Sequence, residues 1–94
     1  MSVVRIPPTL RQETNGEREI LADGENVREL LDDLTSRFPG LRDRILREDE
    51  VAPFVNVYVD GEDVRTRHGL DTPVEEASTV ILLPAMAGGA AVRG

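Results

Sequence analysis

Ninety-four residues fit one domain and leave no room for a second core. Eighteen acidic residues against eleven arginines give a formal charge of −7, and with the arginines scattered along the chain this field argues against a nucleic-acid partner. The chain has no Cys, which excludes disulfides, thiolate metal sites and a Cys nucleophile; no apolar run approaches the ~18–20 residues of a membrane span and no signal pattern opens the chain, so the expected compartment is the cytoplasm.

Residues 2–6 alternate, with Val4 and Ile6 on one face and Arg5 on the other, and read as a strand that Pro7-Pro8 ends. Thr14-Asn15-Gly16 is a turn signal, and residues 17–21 give a second strand after a long connection. Val27, Leu30, Leu31, Leu34 and Phe38 then recur at helical spacing. Asn26 suits the N-cap, and Pro39-Gly40 stops the helix.

Residues 41–46 allow a further turn or two of helix, followed by an acidic loop at 48–50. Residues 54–59 alternate as a strand: Val55, Val57 and Val59 on one face, Phe54, Asn56 and Tyr58 on the other. Asp60-Gly61 turns the chain into a short partner strand at 62–64. Residues 65–78 are polar, broken by Gly69 and Pro73. Residues 79–83 form a continuous apolar run, expected to be a central strand covered on both sides and ended by Pro84. One helix for about five strands makes the class α+β.

Chemistry-bearing constellations are missing. His68 is the single histidine and sits in a polar loop, which makes it a surface imidazole. Neighbouring carboxylates such as Asp32-Asp33 and Glu75-Glu76 diverge on a helix or strand and read as solvated charge. No nucleophile–base pair is easily built, and no metal site is expected. The chain also lacks Lys altogether. A GC-rich genome that favours arginine accounts for this, and so does the need of an activated C-terminus to avoid its own side chains.

What remains is the C-terminal arm. Pro84, Ala85, Met86 and Ala87 lead into Gly88-Gly89, and six residues extend roughly 20 Å. Small side chains allow that arm to thread a narrow channel, and glycine gives the closest approach to a reacting partner. Phe54 and Tyr58, opposite the helix-covered face, form a candidate partner surface. Residues 1–84 are thus expected to be the folded domain and residues 85–94 a flexible tail.

Three segments resemble the ubiquitin-like sulfur carriers of the MoaD/ThiS group. Residues 54–65 (FVNVYVDGEDVR) resemble that family's central hairpin, and residues 80–89 (VILLPAMAGG) its C-terminal signature. Residues 4–11 (VRIPPTLR) are closest to the CysO-like branch, which donates sulfur for cysteine synthesis. The resemblance implies a β-grasp fold, a mixed sheet around one helix, and a role as a protein co-substrate rather than an enzyme. It implies that Gly89 is the residue activated, with Gly88 its channel-fitting neighbour and Pro84 to Ala87 the arm. It further implies an E1-like activating enzyme using ATP and Mg²⁺, no permanently bound cofactor, and a sulfur-accepting partner such as a cysteine synthase. Molybdopterin, thiazole or specialised-metabolite pathways are alternative acceptors, and a pure ubiquitin-like interaction module is the reading from another class. The chain departs from the pattern by continuing past Gly89 through residues 90–94. A cut between Gly89 and Ala90, by a JAMM-type metalloprotease as relatives use, is therefore expected; otherwise Gly94 is the functional end.

Overall fold

A computed structural model describes residues 1–48 and 50–84. Seven strands occur among them: β1 (Ser2–Arg5), β2 (Glu19–Ala22), β3 (Leu46–Arg47), β4 (Glu50–Val51), β5 (Val55–Val59), β6 (Glu62–Asp63) and β7 (Thr79–Pro84). Two α-helices, α1 (Val27–Arg37) and α2 (Arg42–Ile45), complete the regular structure with several short 3-10 turns.

Five strands form one sheet in the order β2-β1-β7-β5-β6. β1 and β7 run parallel, while the β1–β2, β5–β7 and β5–β6 pairs are antiparallel. The sheet is therefore mixed, with the last strand at its centre. α1 lies across one face. Asn26 accepts from the Glu29 amide through its Oδ1 at 2.9 Å, the expected N-cap, and Val27, Leu30, Leu31 and Leu34 are fully buried. They meet Val4, Val57, Val80 and Leu82, none of which retains exposed surface. Each such side chain contributes about 1.5–3 kcal/mol on leaving water.

The central strand corrects one expectation. Among the described residues α1 is the one long helix, and β7 is buried on one face alone: Val80 and Leu82 are enclosed, while Leu83 on the other side is 43% exposed. Pro84 is itself the last residue of this strand, facing Val55 across the ladder. Asp60 N donates to Thr79 O at 2.9 Å, and alternation from that pair makes Val55–Pro84 a pair without ladder hydrogen bonds, where proline's missing N–H costs nothing.

Three segments read as loops carry structure. Residues in the long β1–β2 connection form a 3-10 helix, Pro8–Thr14, that buries Leu10 and Thr14. The acidic stretch after α2 is bracketed by the small β3–β4 ladder, Leu46 facing Val51 and Arg47 facing Glu50. The polar run before β7 holds two more 3-10 turns and tucks Leu70, Thr72 and Val74 into the interior; buried Val64, expected to end the partner strand, instead opens the first of these turns. Widely spaced apolar residues of this kind have no period for a sequence reading to catch.

Candidate functional site

β7 delivers the chain to Pro84, which is exposed at the end of the central strand. Its neighbour in the ladder, Val55, is pinned from the other side. Arg65 donates from Nη2 to the carbonyl oxygens of Val55 (2.7 Å) and Ala52 (2.6 Å), and from Nη1 to Asn56 Oδ1 at 2.7 Å. β6 pairs only with Tyr58 and Val59, so beyond them the β5 edge would be bare. The guanidinium fork fills that gap, fixing the strand against which Pro84 lies.

The uncovered face of the sheet is assembled by register. Across its middle, Glu19, Arg5, Ile81, Tyr58 and Asp63 follow one another strand by strand. Leu21 and Val3 form one flanking row and Leu83 with Asn56 the other. Leu21 is 53% exposed, and Val3, Ile81 and Tyr58 are half-buried. An ion pair between Arg5 and Glu19 at 3.1 Å borders the apolar strip. Open apolar surface of this kind on a small domain marks an interaction face.

Phe54 and Tyr58, grouped by alternation, are separated by the fold. Tyr58 sits in the middle of the open face. Phe54 precedes β5 in a turn, where strand alternation does not reach; its ring lies under the Arg47 guanidinium, 5.3 Å from centroid to Cζ. It lines a cavity of about 140 Å³ with Thr9, Leu10, Arg44, Val55 and Pro84. Phe54 thus borders the exit of the tail, and Tyr58 the face beside it. Leu21, Val3, Ile81 and Leu83, not singled out from the sequence, share that face. Their alternation within each strand was visible; which strands lie side by side was not.

Ala85, Met86, Ala87, Gly88, Gly89 and Ala90 lie outside the described residues. Among the described residues no cluster of His, Asp or Glu is placed to hold a metal ion, and no buried side-chain polar atom lacks a partner. His68 is exposed in the turn before Gly69, and Thr72 Oγ1 accepts from its backbone amide at 3.2 Å. No described helix is long and apolar enough to cross a membrane.

A family model described as the ThiS family matches residues 4–89. The sulfur carrier protein CysO of Mycobacterium tuberculosis is 37% identical over 91 residues, covering 92% of this chain and 96% of that protein. Among solved structures, the Amycolatopsis orientalis BexX/CysO complex matches with a TM-score of 0.89 at 43% identity, over 95% of this chain and 100% of the matched one. The small archaeal modifier protein 1 of Methanosarcina acetivorans matches with a TM-score of 0.82 at 25% identity, over 94% and 95%. The mixed sheet wrapped on one helix is accordingly a β-grasp fold.

Proposed function

Because this chain belongs to the ThiS family, we propose that it is a sulfur carrier of the CysO type that works through the carboxyl group of Gly89. The observation that carries the reading is positional: the central strand of the sheet runs directly into the Gly88-Gly89 arm, beside an open apolar face. A partner seated on Tyr58, Ile81 and Leu83 holds the start of the arm at the same time. The solved complex of the Amycolatopsis CysO with BexX supports a protein partner for such a carrier.

The chemistry follows from the weakness of a carboxylate as an electrophile. Hydrolysis of the Gly89–Ala90 bond, by a JAMM-type metalloprotease, first frees the carboxylate. Its oxygen then attacks the α-phosphorus of ATP in an E1-like enzyme, with Mg²⁺ bound to the phosphates. Pyrophosphate departs and the acyl-adenylate forms. A sulfur nucleophile attacks the acyl carbon, AMP leaves with the bonding electron pair, and a thiocarboxylate remains on Gly89. That sulfur is delivered to an acceptor, in our reading an activated serine at a cysteine synthase. The carrier itself contributes an arm, a docking face and no catalytic group.

The test uses chain ending at Gly89, incubated with ATP, sulfide and a candidate activating enzyme. Intact-mass spectrometry is expected to show the gain that accompanies sulfur replacing oxygen. A folded chain that binds the enzyme yet never gains sulfur would instead support a ubiquitin-like interaction module using the open face alone. Mass spectrometry of the native protein checks processing, and chain carrying residues 90–94 throughout would sink that step.

A further inference from the structure

The net charge of −7 conceals an uneven distribution along β7. At the start of that strand, a cavity is lined by Asp23, Glu25, Glu29 and Glu76, with the Met1 amine lying 3.9 Å from Asp23 and 3.8 Å from Glu76. Ser2 Oγ and the Val3 amide tie β1 to Glu75 and Ser78 here, so this acidic end is fixed to the beginning of β7.

The other end of β7 is different. Where β1 leaves β7, a cavity of about 790 Å³ opens, lined by Ile81, Leu82 and Leu83 together with Arg5, Arg11 and Arg18. Of these, Arg5 is paired with Glu19. Arg11 donates through Nε to the Ile6 carbonyl oxygen at 3.1 Å, and among the described residues no carboxylate pairs with it or with Arg18. Glu17 also lines the cavity, without an ion-pair partner among the described residues. On the far side of the exit stand Arg44, held to Glu13 at 3.6 Å, Arg47 over Phe54, and Arg65 on the backbone carbonyls of Ala52 and Val55. Arg11, Arg18, Arg47 and Arg65 thus stand at the tail end without a direct ion pair among the described residues, although Glu17 beside Arg18 and Glu50 facing Arg47 offset part of their charge. The opposite end, some five residues or about 17 Å along the strand, is rich in acids.

We propose that the arginine rim at the end of β7, centred on Arg11 and Arg18, docks an acidic segment of the partner that receives the tail. This rests on the carrier reading and adds the chemistry of the partner's contact. A polarised charge distribution turns the molecule during approach, because the acidic end is repelled by the same segment that attracts the rim. The tail therefore arrives first. The apolar face supplies the contact that holds, and the rim supplies orientation and association rate. A carrier of net negative charge would otherwise be repelled by an acidic partner, and only a local concentration of arginine reverses that at short range. At a Debye length of about 10 Å in 0.1 M salt, the far acids are largely screened from a segment bound at the rim.

Two measurements test this. In the first, ¹⁵N-labelled chain ending at Gly89 is titrated with hexaglutamate and, separately, with inorganic phosphate. Hexaglutamate is expected to shift the amides of Arg11, Arg18 and Ile81 to Leu83, and Arg18→Glu is expected to abolish those shifts while the remaining spectrum stays native. Equal shifts from phosphate would overturn the assignment in favour of a simple anion site, and unchanged spectra would overturn it outright. In the second, stopped-flow association with the enzyme that loads the chain compares Arg18→Glu and Glu76→Arg. Arg18→Glu is expected to slow association about 3–10-fold at low salt, the difference vanishing at high salt, with Glu76→Arg within about twofold of the parent. Equal and opposite effects of the two variants would show a response to net charge alone and overturn the rim. Absence of sulfur loading in the parent chain would refute the carrier reading instead, while the hexaglutamate titration still decides the rim.

Discussion

Arg65 and Val55 are joined by a hydrogen bond of 2.7 Å from the guanidinium Nη2 to the backbone carbonyl oxygen, on the residue that faces Pro84 across the sheet. The same nitrogen also reaches Ala52 O at 2.6 Å. A side chain thus does the work of a missing strand, because β6 is too short to cover the edge there. Arg65→Ala leaves these carbonyls without their donor, at an expected cost of about 1–3 kcal/mol by urea denaturation. Arg65→Lys is expected to recover part of it, since an ammonium keeps the charge but loses the planar fork. Amide exchange in residues 55–57 that is unaffected by either change would refute the clamp.

Leu31 and Leu34 have no exposed surface and lie at the centre of the helix–sheet contact. Leu31→Ala or Leu34→Ala is expected to cost about 2–5 kcal/mol, the lost transfer energy plus the cavity left behind. Chemical denaturation with an unchanged slope is the check, and a loss well below 1 kcal/mol would mean the core collapses around the gap.

Asn26 caps α1 through the Glu29 amide, and Glu29 returns the contact by accepting from the Glu25 amide at 3.0 Å. Asn26→Ala removes the acceptor and leaves the Glu29 amide without its partner. A decrease of about 1 kcal/mol is expected, readable as a lower thermal midpoint.

Gly24 presents a different constraint. A Cβ built there would meet Glu29 C and Leu30 Cα at 2.8 Å, backbone that has no rotamer to yield. Gly24→Ala is therefore expected to push the β2–α1 connection away from the helix at about 1–3 kcal/mol. Gly16, with open space but φ +85°, is the useful contrast: its substitution is penalised by backbone conformation alone. Retained stability in Gly24→Ala, with Gly16→Ala destabilised, would show that the close approach relaxes freely.

Gly89→Ala separates tail from fold. Thermal stability is expected to stay at the parent value while sulfur loading by the activating enzyme falls, followed by mass spectrometry. Equal damage to both would mean that this glycine belongs to packed structure.

Local pattern and long-range assembly divide this protein cleanly. The 3.6-residue stripe from Val27 to Leu34, the Asn26 cap and the Asp60-Gly61 turn, with φ 49° and +91°, were legible because each is decided by residues close in the chain. The alternation of β5 and the apolar run of β7 were legible for the same reason. The order of strands was not, since the parallel pairing of Val4 with Val80 spans most of the chain and leaves no local trace. Nor did the apolar run of β7 reveal its single-sided cover, since a run apolar on both faces carries no alternation to say which face the one long helix would take.

The amino-acid sequence by itself pointed the proposed function to the end of the chain: it withholds Cys, Lys and a second His, and it supplies an arm of small residues ending in Gly88-Gly89. The tertiary structure alone decided what surrounds the beginning of that arm. It moved Phe54 to the exit and left Tyr58 on the open face, brought Arg65 to Val55, and gathered Arg11 and Arg18 beside Leu83. Composition registers only the sum of the charges, whereas the folded chain sets where each one stands relative to β7.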